Sequence, residues 1–258
     1  LTEQPRKRRT VAYINVPYCE TRCLYCLFYI KPYRTKEESA AYADTLIKEM
    51  QLWADKPVQN KEPVHAVYFG GGTPTALEAS DIRRVLEAVR KYLPLANDCE
   101  ITYEGRLSGF GDDKMEAAIE GGANRFSLGV QTFDTKVRQA VGRRSSKEEL
   151  IRRLTRLMSY SQAAVVIDLI YGFPYQTLET WLEDLQISKD LGLDGVDCYQ
   201  LRVFERSPLH KYIANGKLPA GPDHAMRARM FREAVFQMRE AGWSRLSISH
   251  WASNTRER

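Results

Sequence analysis

The sequence predicts an α/β fold, a partial (β/α)6-type barrel of the TIM-like kind, with a parallel sheet inside and helices outside. Three observations predict it. Short runs rich in Val, Ile, Tyr and Phe alternate along the chain with longer stretches of helical period, the pattern of repeated βα units. A length of 258 residues, 43% of them hydrophobic, suits one barrel or two small domains with an ample core. Polar residues close several of the apolar runs, where a barrel gathers its chemistry at one mouth.

The strand candidates are Val11–Val16, His65–Phe69, Glu100–Glu104, Arg125–Val130, Val165–Ile170 and Val196–Leu201, with a weaker seventh at Arg245–Ser249. In the helix Ser80–Leu93, Ile82, Val85, Leu86, Val89 and Leu93 share one face, and Pro94 closes the segment. Ser146 with Glu149 forms a capping box ahead of Leu150, Ile151, Leu154, Leu157 and Met158. Gly121-Gly122 and Gly242 supply helix stops. The helix Asp223–Ala241 aligns Met226, Met230, Phe231, Ala234, Val235 and Met238 as a core face, and the connection from Pro208 to Pro222 reads as a surface excursion. The expected organisation is a basic arm over 1–10, one barrel domain over 11–250, and over 251–258 the start of a C-terminal extension. A first residue other than Met points to a fragment of a longer protein.

The net charge of +5 is modest and spread out. The cluster Arg6-Lys7-Arg8-Arg9 is either a solvated arm or a contact for nucleic acid, a membrane surface or an acidic ligand, and so mild a balance does not by itself select nucleic acid. No apolar run is long enough to span a bilayer and no apolar signal segment opens the chain, which predicts a cytoplasmic, reducing setting. In that setting clustered cysteines hold metal more readily than they form disulfides.

Three of the five cysteines, Cys19, Cys23 and Cys26, follow directly on the first apolar run. The spacing CxxxCxxC differs from the paired CxxC knuckles of zinc sites, and no fourth Cys or His lies near in sequence to close a tetrahedron. Iron–sulfur cubanes take one thiolate per iron, so three cysteines leave one iron open. Three unrelated thiols are the alternative, a cluster exposed to oxidation with no shared ligand. Cys99 and Cys198 read as small buried apolar residues. The second strand ends in Gly70-Gly71-Gly72-Thr73-Pro74-Thr75, where three glycines forgo packing in favour of close approach or unusual dihedrals. A Walker-type phosphate loop would continue with Lys-Ser/Thr, which is absent here, whereas a plain tight turn stays open. Glu104, Gln131, Arg143 and Asp168 fall at or near strand ends, either as caps and loop anchors or as partners for ribose hydroxyls and the termini of an amino acid.

The run Tyr13-Ile14-Asn15-Val16-Pro17-Tyr18-Cys19, the cysteine spacing and Tyr25 resemble the radical S-adenosylmethionine enzymes. The nearest branch holds the oxygen-independent coproporphyrinogen III oxidases with their haem-chaperone and haem-utilisation relatives. The resemblance runs from about residue 10 to residue 250 with the motifs in order. It implies a 4Fe-4S cluster held by Cys19, Cys23 and Cys26. Its open iron chelates S-adenosylmethionine, and an electron from a reduced flavodoxin- or ferredoxin-type donor releases a 5′-deoxyadenosyl radical. GGGTPT, from Gly70, matches the motif that holds the methionine end of the cofactor. The branch binds two S-adenosylmethionine molecules. For the first the matching positions are Tyr13, Gly71 and Glu104, with Arg202 through its backbone. For the second they are Tyr25, Gly72, Thr73, Gln131, Arg143 and Asp168, the last also counted with the cysteines as catalytic.

Departures from the oxidases and chaperones narrow the choice. The third strand continues Glu104-Gly105-Arg106, Leu27 follows the last clustered cysteine, and the ending LSISHWASNTRER resembles the haem-utilisation members. Those members imply a class C methyltransferase acting on haem and opening it to a linear tetrapyrrole. The alternatives are coproporphyrinogen dehydrogenation and a haem chaperone without catalysis. His210 and His250 are either surface residues or ligands to haem iron or proton donors.

Overall fold

A computed structural model describes residues 3–59 and 62–257. Leu1 and Thr2 of the expected arm and Arg258 of the expected extension lie outside the described residues. The expected α/β character is present, and contacts divide the chain into two compact units, Leu1–Glu20 with Tyr29–Phe126, and Thr21–Phe28 with Ser127–Arg258.

The first unit contains β1 (Thr10–Val16), β2 (Tyr18–Cys19), β3 (Lys31–Pro32), α1 (Lys36–Ala54), β4 (Val64–Gly71), α2 (Ala79–Tyr92), β5 (Leu95–Gly105) and α3 (Asp112–Gly121). Strand β4 lies between β1 and β5, parallel to both, with Asn15 opposite Gly70 and Phe69 opposite Tyr103. In β1, Ile14 and Val16 are buried while Tyr13 and Asn15 are exposed, the period of two that a strand with one covered face requires. Helix α2 buries Ile82, Val85, Leu86 and Val89 as its periodicity predicts. Gly122 ends α3 in a left-handed conformation at φ 105°, and Gly121 brings that helix against the Leu86 side chain. Strand β5 begins at Leu95, earlier than the apolar pattern predicts, because Pro94 accepts the Val64 amide at 2.8 Å and the register shift between Val64 and Ala66 absorbs the polar residues before Glu100.

The second unit contains the cysteine loop from Thr21 to Phe28 and most of β6 (Arg125–Gln131), then α4 (Thr135–Ala140), α5 (Lys147–Ser159), β7 (Ala164–Tyr171), α6 (Leu178–Asp190), β8 (Gly195–Gln200), α7 (Pro208–Ala214), α8 (His224–Glu240), β9 (Ser244–Arg245) and β10 (His250–Ala252). The strand order is β6-β7-β8-β10-β9. Strands β7 and β8 are parallel with Asp168 opposite Asp197, and β10 runs antiparallel to β8. Helix α8 buries Met230, Ala234 and Met238, and Trp181 from α6 donates its indole N–H to the Met230 carbonyl at 2.8 Å.

Three local expectations are corrected. Arg245–Ser249 is not one strand: β9 stops at Arg245, whose guanidinium donates to the Ser247 and Ile248 carbonyls and folds the chain back, and Trp251 of β10 takes the buried position instead. Between Pro208 and Pro222 the chain forms α7, capped by Ser207, with Pro208 in its first turn and Leu209 fully buried. At α5, Ser146 accepts the Glu149 amide, but the Glu149 carboxylate pairs with Arg153 rather than returning to the cap. Among the described residues no helix is long and apolar enough to cross a membrane.

Leu86 is fully buried and seats the α2–α3 contact. Leu86→Ala should cost about 2–5 kcal/mol. Equilibrium urea unfolding should show a lower midpoint at unchanged slope, and an unshifted midpoint would contradict this packing.

Candidate cofactor site

In the first unit the glycine turn is built against the residues that lead into Cys19. Gly71 has φ 107°, a region open to glycine, and a Cβ there would strike the Asn15 side chain. A Cβ on Gly72 would sit 2.7 Å from the Pro17 carbonyl carbon and 2.7 Å from the Tyr18 oxygen, both backbone atoms that cannot rotate away. The Gly72 amide donates to the Val16 carbonyl at 2.8 Å, and the Cys19 sulfur lies 3.1 Å from the Thr73 hydroxyl, with both side chains buried. The triplet therefore serves the chain's own close packing as well as any ligand. Beyond it, Tyr103 donates to the Pro74 carbonyl at 3.0 Å, and the Arg106 amide donates to Thr75 at 3.0 Å.

Gly70 opens a different surface. A Cβ at that position would meet Glu104 Oε2 at 2.6 Å and the Tyr13 hydroxyl at 2.9 Å, so these two polar groups converge over a residue with no side chain. Tyr13 stacks on Tyr68 at 6.1 Å and is 59% exposed. Partial burial and the Glu104 charge raise its phenol pKa, which keeps the hydroxyl a hydrogen-bond donor.

In the second unit the cysteine loop is docked by its backbone. Leu24 donates to the Val141 carbonyl at 3.1 Å and accepts the Leu209 amide at 2.8 Å, while Leu24 and Tyr25 pack on the core of Val137, Val141, Phe173, Leu201 and Leu209. The Arg143 guanidinium donates to the Gly129 carbonyl at 2.5 Å and from Nε to the Tyr25 hydroxyl at 3.3 Å, and it also reaches the Cys23 thiol. Burial opposes the Arg143 charge, but Tyr25 and Cys23 outweigh it and hold its pKa above the usual value. Burial drives the Tyr25 phenol upward despite Arg143. A fixed cation beside Cys23 suits a thiolate ligand.

Gln131 ends β6 at φ 73°, is 7% exposed, and its Oε1 has no hydrogen-bond partner. A buried acceptor left open costs about 1–3 kcal/mol unless a ligand supplies the donor. Asp168 stands half-buried on β7. Arg202 is exposed just past the end of β8. The fit to a cluster and a nucleoside-amino acid cofactor rests on this donor set: thiols, an open carbonyl oxygen, a carboxylate, a phenol and a glycine turn. Among the described residues no three His, Cys, Asp or Glu side chains are gathered as a single-ion cage.

Sequence reasoning missed two groups. Arg138, buried at 3% exposure, donates to the Val130, Thr132 and Ser145 carbonyls, and burial lowers its pKa to about 10. In the sequence it is one of several arginines in VRQAVGRR, with no signal to separate it. Asp197 is the other, hidden in an apolar run. It accepts from His250 Nδ1 at 2.8 Å while Glu257 accepts from Nε2 at 2.8 Å. With both ring nitrogens directed at carboxylates, His250 is engaged within the protein itself. His210 lies in the first turn of α7.

An α/β domain with a cysteine loop and a glycine turn that packs on its first cysteine defines a class of cluster-dependent cofactor enzymes. The model of the Radical SAM superfamily matches residues 13–187, and the chain belongs to that superfamily. It is 44% identical over 257 residues to anaerobilin synthase of Escherichia coli O157:H7, covering 100% of this chain and 57% of that protein. It is 30% identical over 247 residues to the heme chaperone HemW of Synechocystis, covering 94% of this chain and 59% of that one. Among solved structures, the coproporphyrinogen III oxidase HemN of Escherichia coli, a radical SAM enzyme, superposes with a TM-score of 0.82 at 25% identity over 98% of this chain and 56% of that one. The expected HemN-like branch and its partial-barrel fold are thereby borne out. The chain spans little more than half the length of these relatives.

Burial lowers the pKa of His250, but Asp197 and Glu257 outweigh it and raise it to about 9. Its contribution to stability is fully present below the unfolded value near 6.5 and is lost as pH rises through 9. Allowing for water access to part of the ring, this is worth about 1–2 kcal/mol. The stability gap between the native chain and His250→Gln, read by urea unfolding, should shrink from pH 6 to pH 10. A gap independent of pH would refute the charged pairing.

Proposed function

We propose that the chain is the catalytic part of a radical S-adenosylmethionine methyltransferase that acts on haem and opens it to a linear tetrapyrrole. The observation that carries the cofactor reading is the packing of Cys19 on the glycine turn, with its sulfur 3.1 Å from Thr73. Cys19, Cys23 and Cys26 would hold a 4Fe-4S cluster, one thiolate per iron. Gly70, Gly71, Gly72 and Thr73 would receive the amino-acid end of S-adenosylmethionine. When bound, cluster and cofactor supply a 5′-deoxyadenosyl radical by reductive cleavage of a carbon–sulfur bond.

The chain's own residues orient and shield. Tyr13 and Glu104, converging over Gly70, offer a donor and an acceptor to hydroxyl or ammonium groups of a first cofactor. Arg202 would add backbone groups beyond β8. The open Gln131 oxygen supports a second S-adenosylmethionine as methyl donor, because it asks for an ammonium or hydroxyl donor in a buried position. Arg143, already fixed by the Gly129 carbonyl, provides a guanidinium for a carboxylate; Asp168 takes a ribose hydroxyl; and Tyr25 forms a wall of that pocket. Haem as substrate rests on the 44% identity to anaerobilin synthase across the whole chain. The electron would come from a reduced flavodoxin- or ferredoxin-type protein, in the cytoplasm.

Anaerobic reconstitution should load about four iron atoms with labile sulfide per chain, lost in Cys23→Ala. Zinc in place of iron would overturn the reading. With S-adenosylmethionine, haem and a reductant, S-adenosylhomocysteine should accumulate as haem absorbance falls. Methionine and 5′-deoxyadenosine alone would indicate dehydrogenation instead, as in coproporphyrinogen oxidation, and haem bound stoichiometrically but unconsumed would indicate a chaperone.

A further inference from the structure

Two strand-end loops of the second unit are tied together by a buried acid and a buried amide that the cofactor reading does not use. Asp184, on α6 and 1% exposed, accepts the Phe133 amide at 2.6 Å and is also bonded by the Thr132 hydroxyl. Its other oxygen lies 3.5 Å from Nε2 of Gln176, itself 4% exposed. Gln176 accepts the Gly172 amide at 2.7 Å and the Phe173 amide at 3.1 Å, and donates to the Ile170 carbonyl at 3.2 Å. One pair of side chains thus holds the loop after β6 and the loop after β7.

What the pair holds is a strained residue. Gln131, two positions before Phe133, adopts φ 73°, a left-handed conformation that is strained for a non-glycine residue and persists only where its surroundings over-determine it. Arg138 grips the carbonyls on either side, Val130 at 2.6 Å and Thr132 at 2.9 Å, and Asp184 grips the next free amide. The strained backbone directs the Gln131 side chain into a buried position where its oxygen finds no protein donor. A relaxed backbone would release that acceptor to water. A carboxyl buried on α6 and bonded to the loop after β6 and to Gln176 of the loop after β7 is satisfied by the two loops it joins.

We propose that Asp184 and Gln176 are positioning residues that fix the Gln131 acceptor and the Gly172-Phe173 turn as one unit. The consequence for ligand rests on the reading of Gln131 as part of a second S-adenosylmethionine site.

The test uses the whole chain with its cluster reconstituted and left oxidised, so that S-adenosylmethionine binds without turnover. Equilibrium dialysis with labelled S-adenosylmethionine should give two molecules per native chain. In Asp184→Leu and Gln176→Leu the second should bind about tenfold or more weakly, the loss of a hydrogen-bonded acceptor, with the first unchanged. Asp184→Asn, which keeps the oxygen that accepts from Phe133, should recover most of that affinity. Hydrogen exchange on the same proteins should show the Phe133, Gly172 and Phe173 amides accelerated in Asp184→Leu while the α2 and α5 amides stay protected. Native stoichiometry and affinity in both leucine variants would overturn the proposal, as would unchanged exchange at those amides. One molecule per native chain would overturn the second-site reading alone, and the exchange data would then decide the brace. Should Asp184→Leu fail to fold, Gln176→Leu carries the same comparison in binding and in exchange at the Gly172 and Phe173 amides, with Asp184→Asn as the near-native control.

Discussion

The constraint on which the site depends is the absence of a side chain at Gly72. That absence lets the Gly72 amide reach the Val16 carbonyl and lets the Pro17-Tyr18 backbone pass within van der Waals contact, which in turn sets Cys19 against Thr73. Any larger residue would collide with backbone atoms on both sides of the turn, and no rotamer change relieves a clash of that kind. The cysteine is therefore placed by packing of main chain on main chain, the most rigid support a protein offers. A preorganised ligand position needs that kind of support from its surroundings.

The second unit solves its problem with charge rather than with small residues. Arg138, Arg143 and the His250 cluster are buried or half-buried, and each is bonded to backbone carbonyls or opposite charges. Buried charges cost free energy unless so satisfied, and once satisfied they hold loops more firmly than apolar contacts do, because hydrogen bonds are directional. Against that background the Gln131 oxygen stands apart in the second unit as a buried acceptor without a hydrogen-bond partner.

Much of the architecture was legible in the amino-acid order. The parallel strands β1, β4, β5, β7 and β8 fall on the apolar runs, and α2 and α8 on the periodic ones, since burial of one face imposes a period that composition alone reveals. Errors came where polar residues join strands or apolar ones leave them. The start of β5 holds Asn97 and Asp98 and was hidden, whereas Leu246 and Ile248 look like strand residues yet are exposed, because Arg245 turns the chain there through two backbone carbonyls.

The order of residues by itself determined the cysteine spacing, the glycine turn and the succession of βα units, because each is a local property: spacing along the chain, lack of a Cβ, alternation of apolar and polar. Only the tertiary structure decided that Gly72 packs on the approach to Cys19, that Gln131 is strained with an open oxygen, and that His250 is closed off between two carboxylates. These depend on distances between residues far apart in the chain, from the 54 positions separating Cys19 and Thr73 to the 53 between Asp197 and His250, and such distances exist only once the core has folded.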